Sequence, residues 1–253
     1  MKKYKLTEET IIVNGKTLYR IEALKDFDVV EKGDKGGFIE NESNLSQSGD
    51  CWVYGNAKVS DNAMVCGNAK VYDNARVYCN ALVCGNALVF DNAQVYGKAW
   101  VCDKAKVYDN AQVYGNAQVY DNAEVLDNAK VYGNAKVFEN AEVSFDAKVY
   151  DDAKVYEYAM VQGNAKVYGN AEIRTNACIY GDAVIDSIGD YIVFKNFWSS
   201  GRSFTWTRSN DMWKVGCFYG TEEELIEKAY KDSEISGREY ERIVKYVETI
   251  KGK

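Results

Sequence analysis

The stretch "VCGNALVFDNAQVYGKAWVCDKA", Val83 to Ala105, repeats itself with edits. Ala returns every sixth residue, at Ala87, Ala93, Ala99 and Ala105, and Val stands two places after the first three, at Val89, Val95 and Val101. The other positions drift. Lys98 and Lys104 stand where neighbouring units carry Asn, and Leu88 and Trp100 where they carry Lys, Gln or Glu. A short fixed period has to be read as a repeat architecture before any single element is considered.

Followed outward, the pattern holds Ala at every sixth position from Ala57 to Ala183 without one insertion, which makes 22 units. Val follows two residues later from Val59 to Val167, and then Ile at Ile173, Ile179 and Ile185. Six residues are too few for a helical repeat but suit a short strand and a sharp corner. Val is stiff and β-favouring, so it reads as the inward strand centre, and its two neighbours point outward by the period-two rule. Gly-Asn or Asp-Asn supplies the corner, since these residues tolerate positive φ. Ala fills the crowded inside of that corner.

The unit V-[YFC]-[GD]-N-A-x resembles the hexapeptide repeat of left-handed parallel β-helices, over Leu45 to Ile185. That resemblance implies three hexapeptides per triangular coil and a left-handed crossover, against the usual right-handed rule. The fold class expected is mainly β: a left-handed parallel β-helix of about seven to eight coils over 45–186, with an N-terminal β-hairpin cap (1–44) and a small C-terminal α+β domain (187–253). Coils spaced about 4.8 Å apart stack positions 18 residues apart, so outward ladders can be read directly. One carries Tyr78, Tyr96, Tyr114, Tyr132, Tyr150 and Tyr168. Another carries Cys66, Cys84 and Cys102, then Tyr120, Phe138 and Tyr156. At the corners an amide ladder runs through Asn74, Asn92, Asn110 and Asn128. Two acidic ladders accompany it, Asp73/Asp91/Asp109/Asp127 and Asp103/Asp121/Glu139/Glu157.

The ends are not repetitive. "TIIVNGKTLYRIEAL" (Thr10–Leu24) has apolar residues either side of Asn14-Gly15, a hairpin signal. Gly33, Gly36-Gly37-Phe38, Leu45-Ser46-Gln47 and Gly49-Asp50-Cys51-Trp52 resemble the N-terminal segment of uncharacterised hexapeptide-repeat proteins of phages, prophages and enterobacteria, a polymer-forming, acyltransferase-like group. A cap is its simplest role, because an open solenoid end exposes unpaired strand edges. After Asp186, "DYIVFKNF", "RSFTWTRS" and "MWKVGCFYG" read as short strands. Capping boxes at Thr221/Glu224 and Ser236/Glu239 then predict two helices. The pattern from Gly201 to Thr221 looks like a tail module of the same phage-encoded group.

Composition excludes several function classes. Of 253 residues 47% are hydrophobic and the net charge is −7, the wrong sign for gripping nucleic-acid phosphate. No apolar run predicts a signal peptide or a membrane span. Seven cysteines without CxxC spacing predict free thiols in a reducing cytoplasm, the host's if the gene is phage-borne. The chain has no Pro, which suits continuous ladders, and no His, the commonest general base and metal ligand. Hexapeptide acyltransferases need a His base and γ-class carbonic anhydrases need three His on zinc, so both enzymatic implications of the fold fail on residue type. No catalytic residue, metal or cofactor is predicted.

Two surfaces remain as candidates. Met64, Leu82 and Trp100 recur 18 apart, two residues from Cys66, Cys84 and Cys102, and together predict an apolar outward strip. Monomers rarely leave such a strip exposed, so self-association as a trimer or dimer is expected. The Cys ladder reads as small apolar residues, since in-register neighbours are poorly oriented for disulfides. In the tail, Arg202, Trp206, Arg208, Trp213 and Lys214 combine rings with cations and would suit a nucleotide or other planar anion. The alternative there is that the rings form a small core. The acidic ladders are read as neutralised by Lys106, Lys130, Lys148 and solvent rather than by a cation. The function expected is a non-enzymatic scaffold, of phage or prophage origin, that binds itself and a host protein or ligand. Its alternatives are a counter-defence protein sequestering a nucleotide signal and a degenerate acyltransferase.

Overall fold

A computed structural model describes residues 2–251. The hairpin forms where the sequence places it: β1 (Tyr4–Val13) pairs antiparallel with β2 (Lys16–Ala23) through Asn14 and Gly15 at φ 51° and 78°. Strand β3 (Lys35–Ile39) pairs with β2 on one side and runs parallel to β5 (Lys58–Val59) on the other, which splices the cap into the repeat. From β4 (Trp52–Val53) to β26 (Val184–Ile185) every strand is two residues long, an outward residue followed by an inward Val or Ile. Every third strand shares a sheet, so three parallel sheets wrap a solenoid of about eight turns. The register is 18 residues throughout, as in Lys58 opposite Arg76 and Val59 opposite Val77. The repeat's Ala and Val or Ile side chains fill the interior and are almost wholly buried.

Outside, the Tyr78–Tyr168 ladder stacks with ring centroids 4.8–5.1 Å apart and rings within 9° of parallel. The corners correct the sequence reading in one respect. Positive φ falls on the first corner residue, Gly or Asp, and not on the Asn after it: Asp91 has φ 55° and Gly97 72°. Asn tolerates that conformation but is needed elsewhere, because its amide bonds the next coil's amide, as from Asn116 to Asn134 at 3.0 Å. Of the ladder predicted through Asn74, Asn92, Asn110 and Asn128, the last step is bonded, at 3.4 Å. The acidic ladders are also explained differently. Six of the eight carboxylates, all but Asp73 and Glu139, accept the positive-φ N–H of the following coil, among them Asp127 from Phe145 at 2.9 Å and Asp121 from Glu139 at 3.1 Å. Lys106 pairs with Glu124 on a neighbouring strand, not with the corner acids. Backbone donors, one per coil, offset the repulsion that lysines were expected to screen.

Three N–H groups of a typical hexapeptide donate in one direction, toward the next coil: Lys58 to Ala75, Ser60 to Val77 and Asn62 to Cys79, at 2.8–3.0 Å. The first coil therefore presents spare carbonyls and the last coil spare N–H groups. At the start, the buried Asn44 amide donates to Asp61 O and Ala63 O, and the buried Lys3 ammonium to Gly49 O and Cys51 O. At the end, the N–H of Cys178 donates to Thr205 Oγ1 at 2.9 Å and that of Val184 to Ser209 Oγ at 2.7 Å. The Asp190 carboxylate takes the N–H groups of Asp186 and Ser187.

Thr205 and Ser209 belong to the second unit, an antiparallel sheet of β27 (Tyr191–Lys195), β28 (Ser203–Thr207), β29 (Met212–Val215) and β30 (Phe218–Gly220). Helices α1 (Glu222–Asp232) and α2 (Glu234–Lys251) cover it. The Thr221/Glu224 box caps α1 as predicted. The Ser236/Glu239 box does not form, because α2 starts two residues earlier. Ser233 instead accepts the Ser236 N–H at 3.1 Å, and Ser236 is buried in the first turn.

The corners and the end cap generate three stability predictions. Thr175 is β-branched at φ 62° with its N–H already held by Glu157. Thr175→Gly should therefore raise stability by about 1 kcal/mol in urea unfolding. Gly115→Ala should lower it, since its Cβ would lie 2.9 Å from Gly133 N. Thr205→Val orphans a buried N–H and should cost about 1–3 kcal/mol, with faster amide exchange at Cys178. An unchanged unfolding midpoint would show that the cap bond is dispensable.

Candidate functional site

Strands β6 (Met64–Val65), β9 (Leu82–Val83) and β12 (Trp100–Val101) are adjacent in the seven-stranded sheet, with Met64 opposite Leu82 and Leu82 opposite Trp100. Inward Val65, Val83 and Val101 force their neighbours outward, so Met64, Leu82 and Trp100 share one surface with Cys66, Cys84 and Cys102. Met64 is 40% exposed and Trp100 47%, while Leu82 is half-buried between them. Beyond Trp100 the same column turns polar, through Gln118, Lys136 and Lys154.

The Cys ladder departs from expectation. Cys84 and Cys102 form a disulfide. Their Cα atoms are 4.6 Å apart, inside the span a disulfide bridges, because stacked strands bring 18-apart residues that close. Cys51, Cys66, Cys79, Cys178 and Cys217 remain free. Sequence reasoning also left Lys98 and Lys104 without a role. They occupy the corners on either side of Trp100, exposed, where Asn80 and Asn86 stand one coil earlier and Asn116 and Asn122 one coil later. The corner backbone is unchanged, since Lys98 N still donates to Gly115 O and Lys104 N to Asp121 O. The strip thus ends in an indole with an ammonium-bearing residue at each side.

The tail cluster does not assemble as predicted. Trp206 and Trp213 are 1% and 0% exposed, packed with Phe204, Leu225, Val244 and Val247 beneath the helices. Trp206 Nε1 donates to Asp211 at 2.7 Å. A sheet this small has no other core in which Trp206 and Trp213 could be replaced, so neither ring is a stacking platform. Arg202 and Arg208 flank opposite ends of β28, and the Arg208 N–H is tied to Asp190 O. Arg202 and Lys214 do line a common cleft with Gln162 and Cys178, where the sheet meets the last coils. The Lys214 ammonium lies 4.3 Å above the Tyr180 ring.

Thiol chemistry distinguishes these surfaces. Burial pushes the Cys178 thiol up to about 11, whereas Cys217 is exposed. Alkylation with iodoacetamide at pH 8, read by peptide mass spectrometry, should label Cys217 and spare Cys178. Cys84 and Cys102 should label only after reduction, and their labelling in unreduced protein would contradict the bridge.

Among the described residues, no helix is long and apolar enough to cross a membrane. Residues 81–97 match the family model of the YdcK Beta solenoid repeat, which agrees with the coil geometry over the stretch that contains the disulfide's first Cys. No curated protein matches the chain significantly. The match and the coil geometry together support a β-solenoid repeat protein.

Proposed function

We propose that the protein is a non-catalytic scaffold that acts by binding, and that the strip of Met64, Leu82 and Trp100 assembles it with a second copy. The observation that carries this reading is the run of Met64, Leu82 and Trp100 on three successive coils, with Met64 and Trp100 exposed, in a column that is polar beyond Trp100. An apolar centre with Lys98 and Lys104 at its margin has the arrangement of an interface core and polar rim. A symmetric trimer or dimer would bury the same strip on every copy. A non-catalytic role is supported by the absence of His from the sequence. The phage or prophage origin implied by the N-terminal resemblance adds a host protein as a further partner of the scaffold.

The sequestration alternative is weakened, because Trp206 and Trp213 are committed to the core. A degenerate acyltransferase has only the fold in its favour.

Light scattering on the full chain tests the assembly. The wild type should be a dimer or trimer at micromolar concentration. Trp100→Glu should lose about 2 kcal/mol or more of association, the scale of an interface hot spot, and elute as a folded monomer. A monodisperse wild-type monomer overturns the proposal.

A further inference from the structure

A cavity of about 370 Å³ lies inside the C-terminal unit, between the sheet and the two helices. Its floor is apolar, made by Val215, Phe218, Leu225 and Ala229. Its walls hold three buried polar side chains, Asn196 at 3% exposure and Ser236 and Tyr240 at 7% each. Asn196 is spent on the fold: its Oδ1 accepts from Ser199 N and Oγ, and its Nδ2 donates to Tyr240 Oη at 3.3 Å. Tyr240 therefore accepts one bond, and its own proton has no acceptor among the described residues. Burial also raises the Tyr240 pKa, which keeps that proton in place. The Ser236 hydroxyl likewise has no partner among the described residues, although its backbone N–H is satisfied by Ser233. Two hydroxyl donors thus face the pocket without a protein acceptor, free to bond an acceptor that enters it.

Charge at the mouth indicates what that is. Arg202 and Lys228 both border the cavity and are ion-paired to no carboxylate among the described residues, while Asp232 is the one acid on the same rim. The mouth is therefore net positive in a chain of net charge −7. A pocket of this size with an apolar floor and a few convergent polar groups has the make-up of a small-molecule site.

We propose that this cavity binds a small organic anion, a carboxylate or phosphate ester on a compact apolar body, with its head group held by Arg202, Lys228, Tyr240 and Ser236. The body would cover Phe218 and Leu225. The site is independent of the assembly strip, which lies on the solenoid, and either can fail without the other. It also differs from the tail cluster expected from sequence, of which it retains Arg202 alone.

Calorimetric titration of the full chain with benzoate and with phenyl phosphate tests the site, and benzyl alcohol serves as the neutral control of similar shape. Saturable binding of one or both anions at one site per chain is expected, and the stronger of the two identifies the head group. Benzyl alcohol should bind at least about tenfold more weakly, because the charged hydrogen bonds are lost. Arg202→Gln, a change at an exposed position, should weaken the preferred anion by about tenfold or more without moving Tm. Tyr240→Phe should weaken it by about threefold or more while the variant still unfolds cooperatively. Absence of binding by both anions, equal binding of benzyl alcohol, or affinity unchanged in both variants overturns the proposal.

Discussion

The hydrogen bonds from each coil to the next have a direction, and the architecture of both ends depends on it. A helix solves the analogous problem with caps at its termini; a solenoid needs a cap as wide as its cross-section. The chemistry of the two caps follows the direction of the bonds. Donors cover the first coil's carbonyls, from the Asn44 amide and the Lys3 ammonium. Acceptors cover the last coil's N–H groups, from Thr205, Ser209 and Asp190. The C-terminal sheet is held to the solenoid partly by this complementarity, and exchanging the two caps would leave like groups facing one another. Covered ends also remove the open strand edges on which further chains could add.

The corner shows how one backbone requirement selects residue types with different surface consequences. A left-handed residue is needed at every turn, and Gly meets that need without steric cost. Asp meets it at some strain but adds a carboxylate that holds the next coil's orphan N–H, as Asp61 does for Cys79 at 2.8 Å. In Asp61 this bond and the nearby Lys16 ammonium hold the carboxyl below its usual value, Lys16 being the larger influence. The row of acids along an edge is thus a by-product of backbone capping. It also gives the prism charged edges, which discourage lateral association anywhere except at surfaces that escape the pattern.

The repetitive part was legible because its contacts lie at a constant offset of 18, so that a ladder in sequence is a ladder in space. Tyr78 to Tyr168 and the Met64–Leu82–Trp100 column could be placed without coordinates for that reason. The Cys84–Cys102 bridge followed from the same offset but was rejected on side-chain orientation, a quantity that spacing does not contain. The C-terminal unit has no such offset. Asn196 reaches Tyr240 across 44 residues, and Trp206 and Trp213 share a core with Leu225 of α1 and Val247 of α2 at no common spacing. Composition there identified a concentration of rings and cations but could not say which rings would be consumed by the core. Charges such as those of Arg202 and Lys228, which cannot be buried unpaired, had to remain at the surface.

The contrast between the two units bears on where binding surfaces can arise in such a chain. In the solenoid, Ala, Val and the backbone carry the fold, and an outward side chain contributes little beyond contact with its ladder neighbours. Trp100, Lys98 and Lys104 can therefore replace Gln, Asn or Lys within one coil while the corner bonds beneath them persist. In the small terminal unit a Trp is too large a share of the available core to be left outside. Its open positions are the polar lining of an internal cavity. The solenoid thus keeps its variable side chains in flat outward columns, whereas the cap, built of interlocking rings, keeps its variable polar side chains around a cleft between sheet and helices.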